Sequence, residues 1–506
     1  MNPASLFFSS LCLLLFFPLL QGQGQQKLQQ EIEENMGAFK FEESSLLLQK
    51  LEDADWRTFY SCNLIIYKFL SSQDPQYFEQ LEDIWEQSRE QLEKSTRRDS
   101  LKEIFLADLF GKRAVIAFLD HKYFQAIKYA RLCYKNIESS KEIYGDHPEQ
   151  MKIRGLFNAL LGAIPKKYQW ISKTLGFKGD IRKGRKQLEM AAYESKILRQ
   201  EALLVLSFVE KNMLGEEEVA LKRLSKLRKE KGPNIILDFT LASIRLSLKR
   251  NDKALEILNL RGYYDKEAIF FIPYWDYLLA KAHYYKESYS LSRIYFSRFV
   301  QTYKGKLFKG DAYFRLAMSL TLDGKYEQGK IYFKKIAYSE KEGLDEDEYA
   351  IYMAEKFAKN PPNLHETYLF RARNLFDGGY LDTALANLKK LEEQYVAALS
   401  LGERTELYYR YARIYQQAQD WETALSFFSR CIGLEESEQL WLQVYANYYS
   451  GQIKRNQGKL EEALSFFRAA LSYKNYFYQT GLENRCKIAL GETKREQKSQ
   501  TSFKSR

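Results

Sequence analysis

The stretch Leu175 to Leu188 reads LGFKGDIRKGRKQL, with Gly179, four residues, Gly184 and then Arg185-Lys186. That spacing approaches GxxxxGK[ST], the loop whose backbone N–H groups cradle phosphates. Such a loop also needs a preceding β-strand and a Lys-Ser/Thr pair, and neither is present. Asp180 reads instead as an N-cap, its short carboxylate accepting from the first free N–H groups of a helix. The two glycines are then expected to serve packing and not a nucleotide.

Other residues that carry chemistry are scattered. His121, His147, His283 and His365 form no HExxH, no HxH and no Cys/His cluster with zinc spacing. His283 falls at a helix-core position and His147, in GDHPEQ, in a loop. No GxSxG occurs, and Cys62, Cys133, Cys431 and Cys486 lack any CxxC spacing. The acidic run Asp345 to Glu348 lacks the calcium-loop pattern and reads as the negative first turn of a helix. The expectation is a protein with no catalytic residues, no metal and no cofactor.

The elements behind these residues repeat. GKLEEALSFFRAAL (Gly458 to Leu471) places a glycine at a turn, Ala463 five residues on, then Phe467 and Ala470. This is the second helix of a tetratricopeptide repeat, with small or aromatic residues at positions 20, 24 and 27. The same register gives Ala424/Phe428/Cys431, Ala384/Leu388, Gly329/Phe333/Ile336, Ser292/Phe296/Phe299, Ala254/Leu258 and Ala220/Leu224. It continues upstream with Gly184/Leu188/Ala191, Ala126/Ala130/Cys133 and Ser44/Leu48/Leu51. From Ala126 onward the anchors are spaced 58, 36, 34, 38, 37, 55, 40 and 39 residues apart. Most intervals fit a lengthened 34-residue unit. The two long ones each have room for an extra helix, such as LDEDEYAIYMAEKFAK (Leu344 to Lys359).

The fold expected is an all-α, tetratricopeptide-type, right-handed helical solenoid with one or two inserted helices. Residues 25–160 read as degenerate N-terminal repeats, 161–343 as central repeats, 344–492 as C-terminal repeats and 493–506 as a basic disordered tail. Residues 1–24 read as a secretory signal peptide: an apolar run from Leu11 to Leu20 is too short to span a bilayer comfortably, and small residues Gly22 and Gly24 follow it. Cleavage would leave Gln25 first. With no Asn-x-Ser/Thr sequon in the chain, the expected location is the periplasm or cell envelope of a bacterium, or outside the cell.

The run GLFNALLGAIPKKYQWISKTLGFKGDIRKGRKQL (Gly155 to Leu188) and the closing SYKNYFYQTGLENRCKIALG resemble segments of a eukaryotic helical-repeat group, the tetratricopeptide domain 39 and fungal inclusion-body-clearance family. The resemblance implies a repeat fold over residues 30–492 without an assigned catalytic site. That family is implicated in handling misfolded protein and lipid, and the leader sets this sequence apart from it.

Positions 2, 5, 9 and 12 of each first helix line the concave groove of such arrays. Here they supply Tyr277, Lys281 and Tyr284; Phe314, Met318 and Thr321; Leu369, Arg373 and Phe376; Tyr409, Arg413 and Gln416; Tyr448, Gln452 and Arg455. Aromatic, Met and Arg side chains suit protein recognition because they offer large contact area. The function expected is a non-enzymatic scaffold binding a protein segment in this groove, with Arg373 and Arg413 exposed. The net charge of +11 concentrates in residues 165–231, which hold 17 Lys/Arg against 9 Asp/Glu. The alternative is therefore a peripheral membrane protein using that face on an anionic surface. Nucleic acid is not expected as a partner, since no recognised binding motif is present.

Overall fold

The computed structural model describes residues 23–96, 101–119, 122–163, 179–195, 199–267, 269–337, 345–435 and 439–504. The apolar run of the leader lies outside them. Among the described residues all regular structure is helical and no helix is long and apolar enough to cross a membrane. The N-terminal hairpins are α1 (Gln23–Gly37) with α2 (Phe41–Leu48), α3 (Ala54–Ser72) with α4 (Pro75–Lys94), and α5 (Leu101–Leu119) with α6 (Tyr123–Tyr144). Next come α7 (Pro148–Ala163) with α8 (Ile181–Glu194), and α9 (Arg199–Phe208), prolonged by a π-helical turn (Val209–Leu214), with α10 (Glu217–Lys231). α11 (Ile235–Ser247) pairs with α12 (Asn251–Leu258), and the short α13 (Arg261–Lys266) follows. α14 (Pro273–Tyr285) pairs with α15 (Tyr289–Thr302), and α16 (Lys309–Leu322) with α17 (Tyr326–Ala337). α18 (Asp345–Phe357) stands alone. The C-terminal hairpins are α19 (Leu364–Gly378) with α20 (Leu381–Tyr395), α21 (Leu401–Gln417) with α22 (Trp421–Ile432), and α23 (Leu440–Asn456) with α24 (Leu460–Ser472). α25 (Gln479–Lys504) closes the chain.

The repeat register is the register of burial. Ala384, Leu388, Ala424, Phe428, Cys431, Ala463 and Phe467 are all fully buried, as are Ala220, Leu224, Ala254, Leu258, Ser292, Phe296 and Phe299. A second helix therefore offers one small residue to its first helix, then larger ones to the core. Cys133 and Cys431 are buried free thiols, and burial pushes the Cys431 thiol up to about 12. The 55-residue interval holds α18 as expected. In the other long interval, residues 164–178 between α7 and α8, where an extra helix is expected, lie outside the described residues.

The glycines of the opening stretch serve a helix crossing. A Cβ on Gly184 would lie 2.5 Å from the Gly155 carbonyl oxygen and 2.7 Å from the Ala159 nitrogen; one on Gly155 would lie 2.8 Å from the Gly184 oxygen. α7 and α8 thus touch backbone to backbone. Asp180 caps α8, accepting from the Arg182 and Lys183 N–H groups at 2.8 and 2.9 Å. Gly324, Gly379 and Gly458 do a different job at φ +77°, +85° and +75°, turning each first helix into its second.

Distant repeats also meet. The Phe270 N–H donates to the Phe39 carbonyl at 2.9 Å, and Asn234 donates to the Gly37 carbonyl at 2.7 Å, tying α1–α2 to the middle of the chain. Asn484 of α25 donates to the Ala163 carbonyl at 3.1 Å, and Arg182 of α8 pairs with Glu492. The boundary expected at 160/161 falls inside α7, and one hydrophobic core holds buried residues from Ile32 to Phe370.

Residues 493–504 are not a disordered tail: they continue α25. Arg455 clamps Glu492 and Glu496, one turn apart on α25, and Thr493 is fully buried. That packing outweighs the polar composition of the segment.

Gly184→Leu is expected to lower unfolding free energy by about 3 kcal/mol, because a rigid backbone crossing cannot make room. Gly262→Ala, where a Cβ would meet nothing within 4 Å, is expected to change it little. Thermal denaturation followed by circular dichroism checks both.

Candidate functional site

The inserted helix α18 is held by its acidic first turn. Asp347 accepts from the Phe308 N–H at 2.9 Å and the Asp311 N–H at 2.8 Å. It therefore caps the N-terminus of α16, which has no capping side chain of its own. Phe308 sits at φ +62°, and a Cβ on Gly310 would lie 2.8 Å from the Asp347 carboxylate, so glycine leaves the room that this cap needs. Within the DEDE run Asp347 thus ties α18 to α16.

So placed, α18 turns Tyr349, Tyr352, Met353 and Lys356 toward the C-terminal hairpins. These are the i, i+3, i+4 and i+7 positions of one helical face. Tyr349 meets Trp441 (ring centroids 6.1 Å apart), Phe477 (5.7 Å) and Tyr478 (6.0 Å), and Tyr352 meets Phe477 at 5.1 Å. Between α18 and α19, α21 and α23 lies a cleft of about 420 Å³. Aromatic rings of Tyr349, Tyr352, Trp441 and Phe477 line it, together with the carboxylates of Glu366, Glu403 and Glu406.

Each carboxylate is held in place. Glu366 and Asn363 form a capping box on α19, and Glu366 pairs with Lys356 at 2.6 Å. Glu403 and Ser400 form another on α21, and Asn363 donates to Glu403 at 2.8 Å. Glu406 accepts from Arg410 at 2.7 Å. Burial pushes the Glu403 carboxyl up, but hydrogen bonds from Asn363 and Ser400 outweigh it, so the group sits below the ordinary range and stays charged at neutral pH.

The concave positions read from the repeat template divide into two groups. Tyr277, Tyr284, Phe314, Met318, Leu369, Phe376 and Tyr409 are at most 6 % exposed. They pack between helices because the superhelix is tight: α19 touches both α11 and α14. Lys281, Arg373, Arg413, Gln416, Tyr448, Gln452 and Arg455 keep partial exposure. Arg373 and Arg413 are not the open groove residues expected. Arg373 reaches the Tyr349 hydroxyl at 3.4 Å, and the Arg413 guanidinium lies 3.6 Å from the Tyr449 ring centroid. Arg455 is engaged by α25. The template assigns no positions to α18, which carries Tyr349 and Tyr352, and its groove positions do not include Trp441 at the start of α23 or Phe477 beyond α24. The periodic face of α18 was the available signal.

The basic stretch 165–231 is partly neutralised. Arg223 and Arg185 converge on the buried Glu210 at 2.7 and 3.5 Å, and Arg228 pairs with Asp238 at 2.9 Å. Lys222, Lys226, Lys229 and Lys231 of α10 are exposed. Among the described residues no group of three or more His, Cys, Asp or Glu is placed to hold a metal ion.

Inside the superhelix, Lys249 at the end of α11 pairs with Asp377 of α19 at 3.1 Å. Burial raises the Asp377 pKa, but Lys249, Arg373 and Arg410 outweigh it and hold the carboxyl at about 2. A carboxyl held below its unfolded value near 3.9 stabilises the fold above that value, and the contribution is lost as pH falls through the folded pKa. Asp377→Asn is expected to cost about 2 kcal/mol at pH 7, with the difference from wild type vanishing by about pH 2. Urea unfolding across that pH range measures it.

A family model, "Tetratricopeptide repeat", matches residues 405–438 and 444–476, which are the α21–α22 and α23–α24 hairpins. No curated protein matches the sequence. Among solved structures the chain is similar to one in the crystal structure of the APC/C hetero-tetramer Cut9-Hcn1, at 13% identity and a TM-score of 0.31, over 98% of this chain and 94% of that one. The chain is an all-α helical-repeat protein carrying tetratricopeptide repeats in its C-terminal hairpins.

Proposed function

We propose that this protein is an exported, non-enzymatic scaffold that binds a segment of a partner protein in the cleft between α18 and the C-terminal tetratricopeptide hairpins. The observation carrying this is the cleft itself: about 420 Å³, floored by aromatic rings and rimmed by fixed carboxylates, over the repeats that match the family model. Rings lose little freedom on binding and offer large area, and fixed charges at a rim select orientation. The groove of the repeat template is thus reduced to its C-terminal part.

Export to a bacterial envelope belongs to the same proposal and rests on the leader. So does kinship with the tetratricopeptide domain 39 family, which rests on the segments around Gly155–Leu188 and the C-terminus. The basic stretch supplies a second reading, docking on anionic lipid, favoured by the four exposed lysines of α10.

A photo-crosslinking residue at Tyr352 is expected to capture one discrete protein from native extracts, and the same residue at the exposed Phe124 is not. Equal capture at both positions, or none at either, removes the cleft as the working site; sedimentation with anionic vesicles would then support the lipid reading. Mass spectrometry of the mature chain is expected to begin at Gln25, and an intact Met1 terminus would overturn export by a cleaved leader.

A further inference from the structure

The interior of the superhelix holds more positive charge than its own carboxylates neutralise. α19 touches α11 and α14, and α25 touches the π-helical turn, so first helices from distant repeats come together on the concave side. Three carboxylates on this side are already engaged: Asp311 with Arg315 at 2.7 Å, Asp377 with Lys249 at 3.1 Å and Glu406 with Arg410 at 2.7 Å. A fourth, Glu217, acts on Lys211 and Arg485 through the field alone, as Asp377 and Glu406 do on Arg373 and Asp311 does on Lys281.

Four half-buried cations remain. Among the described residues Lys211, Lys281, Arg373 and Arg413 have no carboxylate within ion-pair reach. The Lys211 ammonium donates to the Ser243 hydroxyl at 2.7 Å. Lys281 lies over the Tyr277 and Tyr285 rings, 5.3 and 5.9 Å from their centroids. Arg373 has the Tyr349 hydroxyl, and Arg413 has the Tyr449 ring and the Tyr409 hydroxyl at 3.3 Å. The Arg413 Nε is buried and meets no acceptor. Burial first, and then the neighbouring Lys281, push the Lys211 pKa down to about 8.

Like charges gathered in a partly desolvated space are unfavourable unless an opposite charge completes them. The groups on offer are all donors: two ammoniums, two guanidinium forks and tyrosine hydroxyls. Their complement is a ligand presenting several acceptor oxygens, since guanidinium groups grip phosphate bidentately and ammoniums bind it as point charges. Lys211 also sits in a π-helical turn, a distortion often found at functional sites.

We propose that this interior is a binding site for a small polyanion bearing phosphate-type groups, held by Lys211, Lys281, Arg373 and Arg413. The site is distinct from the α18 cleft, and the proposal does not depend on protein binding there. Two sources carry this chemistry, a soluble phosphate ester and a phosphorylated lipid headgroup.

The test is calorimetric titration of the full-length mature chain with inositol hexakisphosphate at physiological ionic strength. One saturable site is expected, weakened by about 10-fold or more in Lys281→Gln/Arg413→Gln, the loss of charge-assisted bonds. Lys229→Gln/Lys231→Gln on the exposed face of α10 is expected to bind as wild type does. Absence of binding, or equal weakening in both pairs, overturns the site. Should the interior pair fail to fold, Lys211→Met replaces it. That variant is expected to melt at a higher temperature than wild type without ligand, yet to gain less from added ligand. A full ligand-induced shift in Lys211→Met would also overturn the proposal. Sedimentation with phosphoinositide vesicles, competed by the soluble ester, assigns the headgroup as source; ester binding without vesicle binding assigns the free molecule.

Discussion

Each hairpin closes because a residue no larger than alanine or serine sits where its two helices cross. Gly184, Ala220, Ala254, Ser292, Gly329, Ala384, Ala424 and Ala463 hold that place in successive repeats, and all are buried. The close approach brings Leu188, Leu224, Leu258, Phe296, Phe333, Leu388, Phe428 and Phe467 into full contact one turn later. Lone hairpins cannot bury the apolar faces this creates, so each stacks on the next, giving one large core through the N-terminal and central hairpins and smaller clusters between the C-terminal ones. Where two glycines face each other, as at Gly155 and Gly184, the backbones themselves touch, which is why a stretch resembling a phosphate loop is a packing motif.

The inserted helix shows how a repeat array acquires a site. α18 belongs to no hairpin; it buries Ala350, Ile351, Ala354 and Phe357 in the main core, and Asp347 satisfies two backbone donors of α16. Fixed there, it narrows an open groove to a cleft between Tyr349, Tyr352 and the rings of Trp441 and Phe477. The capping boxes of α19 and α21 use Glu366 and Glu403, so the residues that start two helices also set the charge of the cleft rim. Local structure and surface chemistry here come from the same side chains.

The N-terminal half handles charge differently from the interior. Lys112 and Lys152 are buried with Asp108 and Glu201; Lys112 contacts Asp108 at 2.5 Å and Lys152 contacts Glu201 at 2.6 Å. Two cations meet two anions, and Asn63 and Tyr67 take further hydrogen bonds from Lys112 at 2.6 and 3.3 Å. That quartet is closed on itself and ties α5, α7 and α9 together, with α3 joined through Asn63 and Tyr67. Around Lys281 and Arg413 the balance is not closed, and aromatic faces stand where carboxylates would complete the set. The contrast within one molecule is what marks the interior as unfinished without a ligand.

The sequence alone determined the helical class, the register of the second helices, the turn glycines, the Asp180 cap and the presence of α18, because these depend on spacings of at most a few dozen residues. It misplaced the exposure of Arg373, Arg413 and the template tyrosines, and it read the last turns of α25, from residue 493, as a disordered tail. Those features depend on superhelical closure: α19 reaching α11 and α14, Arg455 reaching Glu496, and Asp347 reaching across to α16. Periodicity within a repeat records which face of a helix is apolar. How far the stack curves, and which distant side chains then share one interior, is the sum of many small crossing angles that only the tertiary structure resolves.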